Sequence, residues 1–135
     1  MNTDQPCPDR SKARRVRVLL VDDSPRVRSD LRLLLDLTGQ VDVVGEAGDG
    51  REALKLAAEL APEVIVMDLD MPVMDGLEAT RQVKEGRLAS RVVILSVHGE
   101  PETRLRAHQA GADVFVIKGA QIGTLVEAIL GPAGA

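Results

Sequence analysis

Asp22 and Asp23 follow directly on the apolar run Val16–Val21, and Asp68 closes a second such run, Val64–Asp68. Ser96 closes a third, Arg91–Ser96, and Lys118 follows a fourth, Asp113–Ile117. Brought together, three carboxylates, a hydroxyl and an ammonium group could handle a phosphoryl group. Two like charges about 4 Å apart repel by about 4 kcal/mol at an effective dielectric of roughly 20. Three clustered carboxylates therefore need a cation or a proton among them. An open site with oxygen-only ligands suits Mg2+, which keeps some of its waters and accepts a phosphoryl oxygen. A metal there also neutralises charge on an incoming phosphoryl group. Asp68 is a competent nucleophile that would form an acyl phosphate. Ser96 could donate to one phosphoryl oxygen and Lys118 could pair with another. Taken singly, each residue reads as ordinary cap or turn material; the signal is their coincidence at four strand ends.

Whether these residues meet depends on the elements that carry them. Ser24-Pro25 supplies an N-cap and a proline at the first helical position. Val27, Leu31, Leu34 and Leu35 then recur at helical spacing until Gly39. Val41–Gly45 reads as the second strand, and its end, Gly45-Glu46, adds no evident chemistry. Asp49 with Glu52, and Asp75 with Glu78, give capping-box-like starts to the next two helices. The first of these carries Ala53, Leu54, Leu56, Ala57 and Leu60 and stops at Pro62; the second runs through about Lys84. Pro101 opens a fourth helix that ends near Gly111, and a last helix covers Ile122–Leu130. Strand and helix thus alternate five times, which predicts an α/β fold with a parallel sheet and helices on both faces. The flavodoxin-like (βα)5 doubly wound fold, a three-layer arrangement with strand order 2-1-3-4-5, would set the first, third and fourth strands side by side. Residues 16–130 are expected to form one domain, after a disordered tail at 1–15 and before a C-terminal tail or linker start at 131–135.

Composition narrows the function classes. The chain has 135 residues and a net charge of −4, and Phe115 is its only aromatic. An aromatic stacking platform for single-stranded nucleic acid is excluded, and direct nucleic-acid binding by this chain is not expected. Cys7 is the single cysteine, so there is no disulfide framework, and His98 and His108 suggest no metal cage. No apolar run is long enough to cross a membrane, and no signal peptide is evident, so a cytoplasmic protein is expected. The basic cluster Arg10, Lys12, Arg14, Arg15 and Arg17 reads as a solvated tail or tag remnant.

The run Val18–Asp23, the stretch Asp68-Leu69-Asp70-Met71-Pro72-Val73-Met74-Asp75-Gly76, then Ser96 and Lys118 together resemble the receiver domains of bacterial two-component response regulators. The pattern D-x-x-M-P-x-x-D-G is close to diagnostic, and the resemblance covers about residues 16–130. It implies that Asp68 is the phosphoacceptor and that Asp22, Asp23, Asp68 and the backbone carbonyl of Asp70 hold Mg2+. It implies that Ser96 and Lys118 read the phosphoryl group. Phe115 falls where such domains carry a switch aromatic, with plain core filling as the alternative. The implied partners are a sensor histidine kinase or phosphotransfer protein upstream. Downstream, a protein or a missing output domain would be reached through the face of the fourth helix, fifth strand and fifth helix. No membrane partner is implied, and a phosphorylation-dependent dimer stays open. The resemblance is strongest to receivers that precede a C-terminal helix-turn-helix, although only five residues follow Leu130 here.

Three positions depart from the family pattern. Gly119 stands where many receivers have proline, which predicts a looser loop after Lys118. Val97 replaces a smaller residue and is expected to narrow access to Asp68. Gly123 is expected to weaken the last helix. Among rival functions, a haloacid-dehalogenase-type phosphatase would read Asp68-Leu69-Asp70 as its D-x-D. That motif ends the first strand in such enzymes and the third here, and their metal-binding acidic pair comes last, whereas Asp22-Asp23 comes first. A phosphorylation-independent pseudo-receiver would have lost an acidic residue, and none is lost. The expected chemistry is self-directed phosphoryl transfer and autodephosphorylation at Asp68, so the chain is not read as an enzyme acting on a free substrate.

Overall fold

The computed structural model describes residues 15–71 and 74–131. Residues 1–14 and 132–135 lie outside the described residues, and with them the expectations of a disordered N-terminal tail and of a C-terminal linker start. The described chain alternates β1 (Val16–Val21), α1 (Pro25–Thr38), β2 (Val41–Ala47), α2 (Gly50–Leu60) and β3 (Val64–Met67). It continues through α3 (Gly76–Gly86), β4 (Arg91–Ser96), α4 (Pro101–Ala110), β5 (Val114–Ile117) and α5 (Ile122–Leu130). The five strands form one sheet in the order β2-β1-β3-β4-β5, with every neighbouring pair parallel. This is the strand order expected of the flavodoxin-like fold.

Alternation along the strands splits the core in two, because successive side chains point to opposite faces. Val18 and Leu20 of β1, with Val64 and Val66 of β3, pack against Leu35 of α1 and Leu125, Val126 and Ile129 of α5. On the other face, Leu19, Val21, Ile65 and Met67 meet Ala53 and Ala57 of α2, Ala79 and Val83 of α3, and Ala107 of α4. Each cap residue works as its sequence suggests. Ser24 accepts from the Val27 N–H, Asp49 from Glu52 and Asp75 from Glu78. Gly39 ends α1 in the left-handed region at φ 73°.

Several details differ from expectation. Strand β2 continues to Ala47, because a register shift between Val18 and Leu19 lets Leu20 pair with Glu46 and Val21 with Ala47. Helix α3 runs to Gly86, past Lys84. Strand β5 begins at Val114, since the Asp113 carboxylate is used to accept the Val92 N–H at 2.8 Å. In α1, Leu35 is fully buried while Leu34 is 44% exposed, so Leu34 lies off the core stripe. Arg17 is not part of a solvated tail. It lies in β1, and its guanidinium donates to the carbonyls of Ala61 (2.7 Å) and Leu60 (2.8 Å) at the end of α2. These are carbonyls that a helix end leaves without an intrahelical donor.

Candidate functional site

The sheet aims its chemistry at one edge. Val21 pairs with Met67 and Met67 with Ile94, so Asp22 and Asp68, just beyond β1 and β3, lie beside the last residues of β4, Leu95 and Ser96. The Asp22 N–H donates to the Ala47 carbonyl at 3.0 Å, and the Asp68 N–H to the Val21 carbonyl at 2.9 Å. Asp22 and Asp68 are thereby tied to the sheet although both stand past the ends of their strands. Asp22, Asp23 and Asp68 each present a carboxylate oxygen within 4.8 Å of the others. Asp22 and Asp68 are buried and Asp23 is exposed, so the cluster opens to solvent on the Asp23 side.

Lys118, carried in by β5, completes the group. Its ammonium lies 2.8 Å from Asp22 Oδ2 and 3.5 Å from Asp68 Oδ2. Its own N–H donates to the Ser96 carbonyl at 2.8 Å, which joins the two loops. The other Asp22 oxygen accepts from the Ser24 N–H at 2.9 Å, and Asp68 Oδ1 from the Asp70 N–H at 3.2 Å.

These contacts set the ionisation of the site. Burial pushes the Asp68 carboxyl above the ordinary aspartate value, and the charges on Asp22 and Asp70 push the same way. Lys118 and the Asp70 N–H pull against this without cancelling it. For Lys118, burial alone would lower the value; the hydrogen bond to Asp22 and the charges of Asp68 and Asp22 lift it above the ordinary lysine range. Both groups are shifted upward, and Lys118 sits closer to Asp22 than to Asp68. Asp68 receives the weaker share of the attraction, and burial leaves its carboxyl raised.

Glycines shape the loop that follows Asp68. A Cβ on Gly76 would stand 2.1 Å from the Asp68 carbonyl oxygen, and the Gly76 N–H donates to the Leu69 carbonyl at 3.1 Å. Helix α3 therefore starts in contact with the main chain of Asp68, which only glycine permits. After Lys118, Gly119 adopts φ 95°, a conformation closed to proline.

Among the described residues, the side chains of the other predicted residues make no hydrogen bond or ion pair with the three carboxylates or the Lys118 ammonium, although the main chains of Asp70 and Ser96 bond to Asp68 and Lys118. Ser96 is completely buried, and its hydroxyl oxygen accepts from the His98 N–H at 3.0 Å. Phe115 is half-buried against the α2–α4 core, with the Arg104 guanidinium 4.8 Å from its ring centre. The Asp70 side chain turns away to His98, 3.4 Å from its Nε2. Val97 is 61% exposed. Sequence reasoning missed three partners: His98 beside Asp70, Arg104 over Phe115, and Arg28 with Glu46 under the Asp22 main chain. Glu46, which shows no evident chemistry in the sequence, forms ion pairs with Arg28 and Arg32.

With this geometry in hand, comparison with known proteins is decisive. The family model described as the response regulator receiver domain matches residues 18–130. This chain belongs to the response-regulator receiver family. The receiver is 36% identical over 112 residues to the nitrate/nitrite response regulator NarL of Escherichia coli, covering 83% of this chain and 52% of that protein. It is 43% identical over 115 residues to the response regulator GacA of Pseudomonas aeruginosa, covering 84% of this chain and 53% of that protein. The receiver thus spans about half the length of the curated relatives it matches. Among solved structures, the signal receiver domain of NarL from Mycobacterium tuberculosis superposes with a TM-score of 0.81 at 38% identity. That match covers 86% of this chain and 94% of the other. The receiver therefore has a regulatory role in two-component signalling. Among the described residues, no helix is long and apolar enough to cross a membrane.

Proposed function

We propose that Asp68 is the phosphoacceptor of this receiver, taking its phosphoryl group from a phosphohistidine on a sensor kinase or phosphotransfer protein. The observation that carries this reading is the Lys118 ammonium set between Asp22 and Asp68 within the three-carboxylate cluster. The donor set fits Mg2+. It offers only oxygen atoms, its three carboxylates present oxygens within 4.8 Å of one another, and it opens to solvent at Asp23. Asp22, Asp23 and Asp68 would hold the ion, with the Asp70 main-chain carbonyl added on the family resemblance. When bound, it neutralises charge on the phosphoryl oxygens.

The chain's own residues do the rest. A carboxylate oxygen of Asp68 attacks phosphorus, the P–N bond of the donor breaks, and the imidazole leaves with the electron pair and takes a proton. The Asp70 N–H holds Oδ1 of Asp68, which fixes the plane of the carboxylate. Lys118 stays within reach of the charge that develops. Ser96 Oγ accepts from His98 and so keeps its own O–H free to donate to a phosphoryl oxygen. Water later attacks phosphorus and regenerates the carboxylate. The chemistry is one self-directed event per chain, in a cytoplasmic setting. The added charge, roughly −1.5 to −2, would bias Phe115 and the α4–β5–α5 face, which a downstream protein or output domain reads. Residues 16–130 are the unit proposed to carry all of this.

Incubation with acetyl phosphate and Mg2+, followed by intact mass, tests the reading. The expected result is one adduct of about 80 Da, dependent on Mg2+ and absent in Asp68→Asn. An adduct that survives the substitution would remove Asp68 from the role. Sedimentation velocity on the same samples decides whether phosphorylation drives a dimer.

A further inference from the structure

Asp23 is the least restrained member of the acidic cluster. Its carboxylate is exposed, and among the described residues it enters no hydrogen bond or ion pair with protein. Asp22 has both carboxylate oxygens engaged, by Ser24 and by Lys118. What remains to place Asp23 is the peptide plane that joins it to Asp22.

That plane is held by Arg28. The Arg28 Nη1 donates to the Asp22 main-chain carbonyl at 2.5 Å. The same guanidinium is anchored through Nε to Glu46 Oε1 at 3.0 Å. Glu46 in turn accepts from Arg32 at 2.9 Å, and Arg32 also donates to the Val43 carbonyl. The hydrogen bond from Arg32, followed by that from Arg28, outweighs burial and holds the Glu46 carboxyl below its ordinary value, so it is the anionic partner this bridge needs. The bridge runs from edge strand β2 through α1 to the acidic loop. A peptide group is planar, so fixing its carbonyl oxygen fixes the direction in which the next Cα leaves. The direction in which Asp23 projects is therefore set from Arg28.

We infer that Arg28, braced by Glu46, is a positioning residue that orients the Asp22–Asp23 peptide and so tunes divalent-cation binding at the acidic cluster. This rests on the reading of that cluster as a cation site. A simple charge effect predicts the opposite sign: Arg28 is a cation near a cation site, and removing it would tighten binding. Positioning predicts that its removal loosens binding. Lysine keeps the charge but has no fork with which to hold Glu46 and the carbonyl at once, so Arg28→Lys should behave like Arg28→Gln.

The test is Mn2+ binding to the whole chain, read from the six-line electron paramagnetic resonance signal of free Mn2+. Loss of a residue that orients a ligand costs about 10- to 100-fold in metal affinity. About tenfold weaker binding is expected for both Arg28 variants. Glu46→Gln, which leaves Arg28 in place without its anchor, should weaken binding by less, and it stands in if the Arg28 variants fold poorly by far-UV circular dichroism. The Mg2+ concentration for half-maximal phosphorylation by phosphoramidate should rise by the same factor, with the rate at saturating Mg2+ unchanged. Unchanged or tighter Mn2+ binding in folded variants overturns the inference while leaving the cation site intact. Failure of the wild-type chain to bind Mn2+ overturns the site reading and this inference with it.

Discussion

Substituting alanine at two glycines should move stability in opposite directions, and the space around each decides the sign. Both Gly76 and Gly123 lie in the first turn of a helix, where alanine is favoured over glycine by up to about 1 kcal/mol. At Gly123 a Cβ meets nothing within 4 Å, so Gly123→Ala should stabilise by about 0.5–1 kcal/mol. At Gly76 the new methyl would stand 2.1 Å from the Asp68 carbonyl oxygen, 2.8 Å from Leu69 Cα and 2.9 Å from the Asp68 carbonyl carbon. All three obstacles are backbone atoms and cannot swing aside. Overpacking of this kind costs about 1–3 kcal/mol or more. Set against the helix gain, Gly76→Ala should lose about 2 kcal/mol. With no Trp or Tyr in the chain, urea unfolding is followed by far-UV circular dichroism rather than fluorescence. Relief of the clash must displace Asp68, so phosphoryl uptake should also slow in Gly76→Ala. A Gly76→Ala variant with the wild-type midpoint, or a Gly123→Ala variant that loses as much, would refute the steric reasoning.

In metal-free protein, the raised Asp68 carboxyl means that the folded state binds its proton more tightly than the unfolded state does. The stability it contributes is present below the unfolded value, near 3.9, and is lost as pH rises through the higher folded value. Asp68→Asn should therefore match wild type at low pH and become the more stable of the two towards neutrality; parallel stability curves in EDTA would count against this. At an Mg2+ concentration about 100 times Kd, wild type should gain about 2.7 kcal/mol by linkage, and Asp23→Asn should gain clearly less under the same conditions. Equal gains would take Asp23 out of the ligand set. Arg104→Ala removes the contact with Phe115 and the 2.9 Å hydrogen bond to the Gly99 carbonyl. A loss of about 1 kcal/mol is expected, together with a shift of the Phe115 ring resonances, which stand alone in the aromatic-carbon spectrum outside histidine. Val97→Ala should speed both gain and loss of the phosphoryl group; unchanged rates would dismiss Val97 as a gate.

The features legible in the sequence were those with a local signature. Ser24, Asp49 and Asp75 act within three residues of themselves, and βα alternation with acidic strand ends leaves few topologies to choose from. Asp22, Asp23, Asp68 and Lys118 meet because the sheet order brings their strand ends together, so finding the fold amounted to finding the cluster. The phase of α1 was harder to read. Leu31, Leu33, Leu34, Leu35 and Leu37 crowd seven positions and spread round the helix, so periodicity could not say that Leu35 alone is buried. Nor could any pattern announce Arg28 on Glu46, 18 residues away, or Arg17 on the end of α2, 43 and 44 residues away. Such pairs depend on where long side chains reach once the backbone is in place.

Helix α4 buries only two residues, the alanines Ala107 and Ala110, while Leu105 faces solvent. Two buried methyl groups are worth only about 1.5 kcal/mol. They also present an almost smooth underside, without the ridges that lock one helix into another's grooves. A helix seated this way resembles a part resting on a bearing: it can turn or slide without first pulling large side chains out of sockets. Its amides should be among the earliest in the sheet's helical layers to exchange with deuterium.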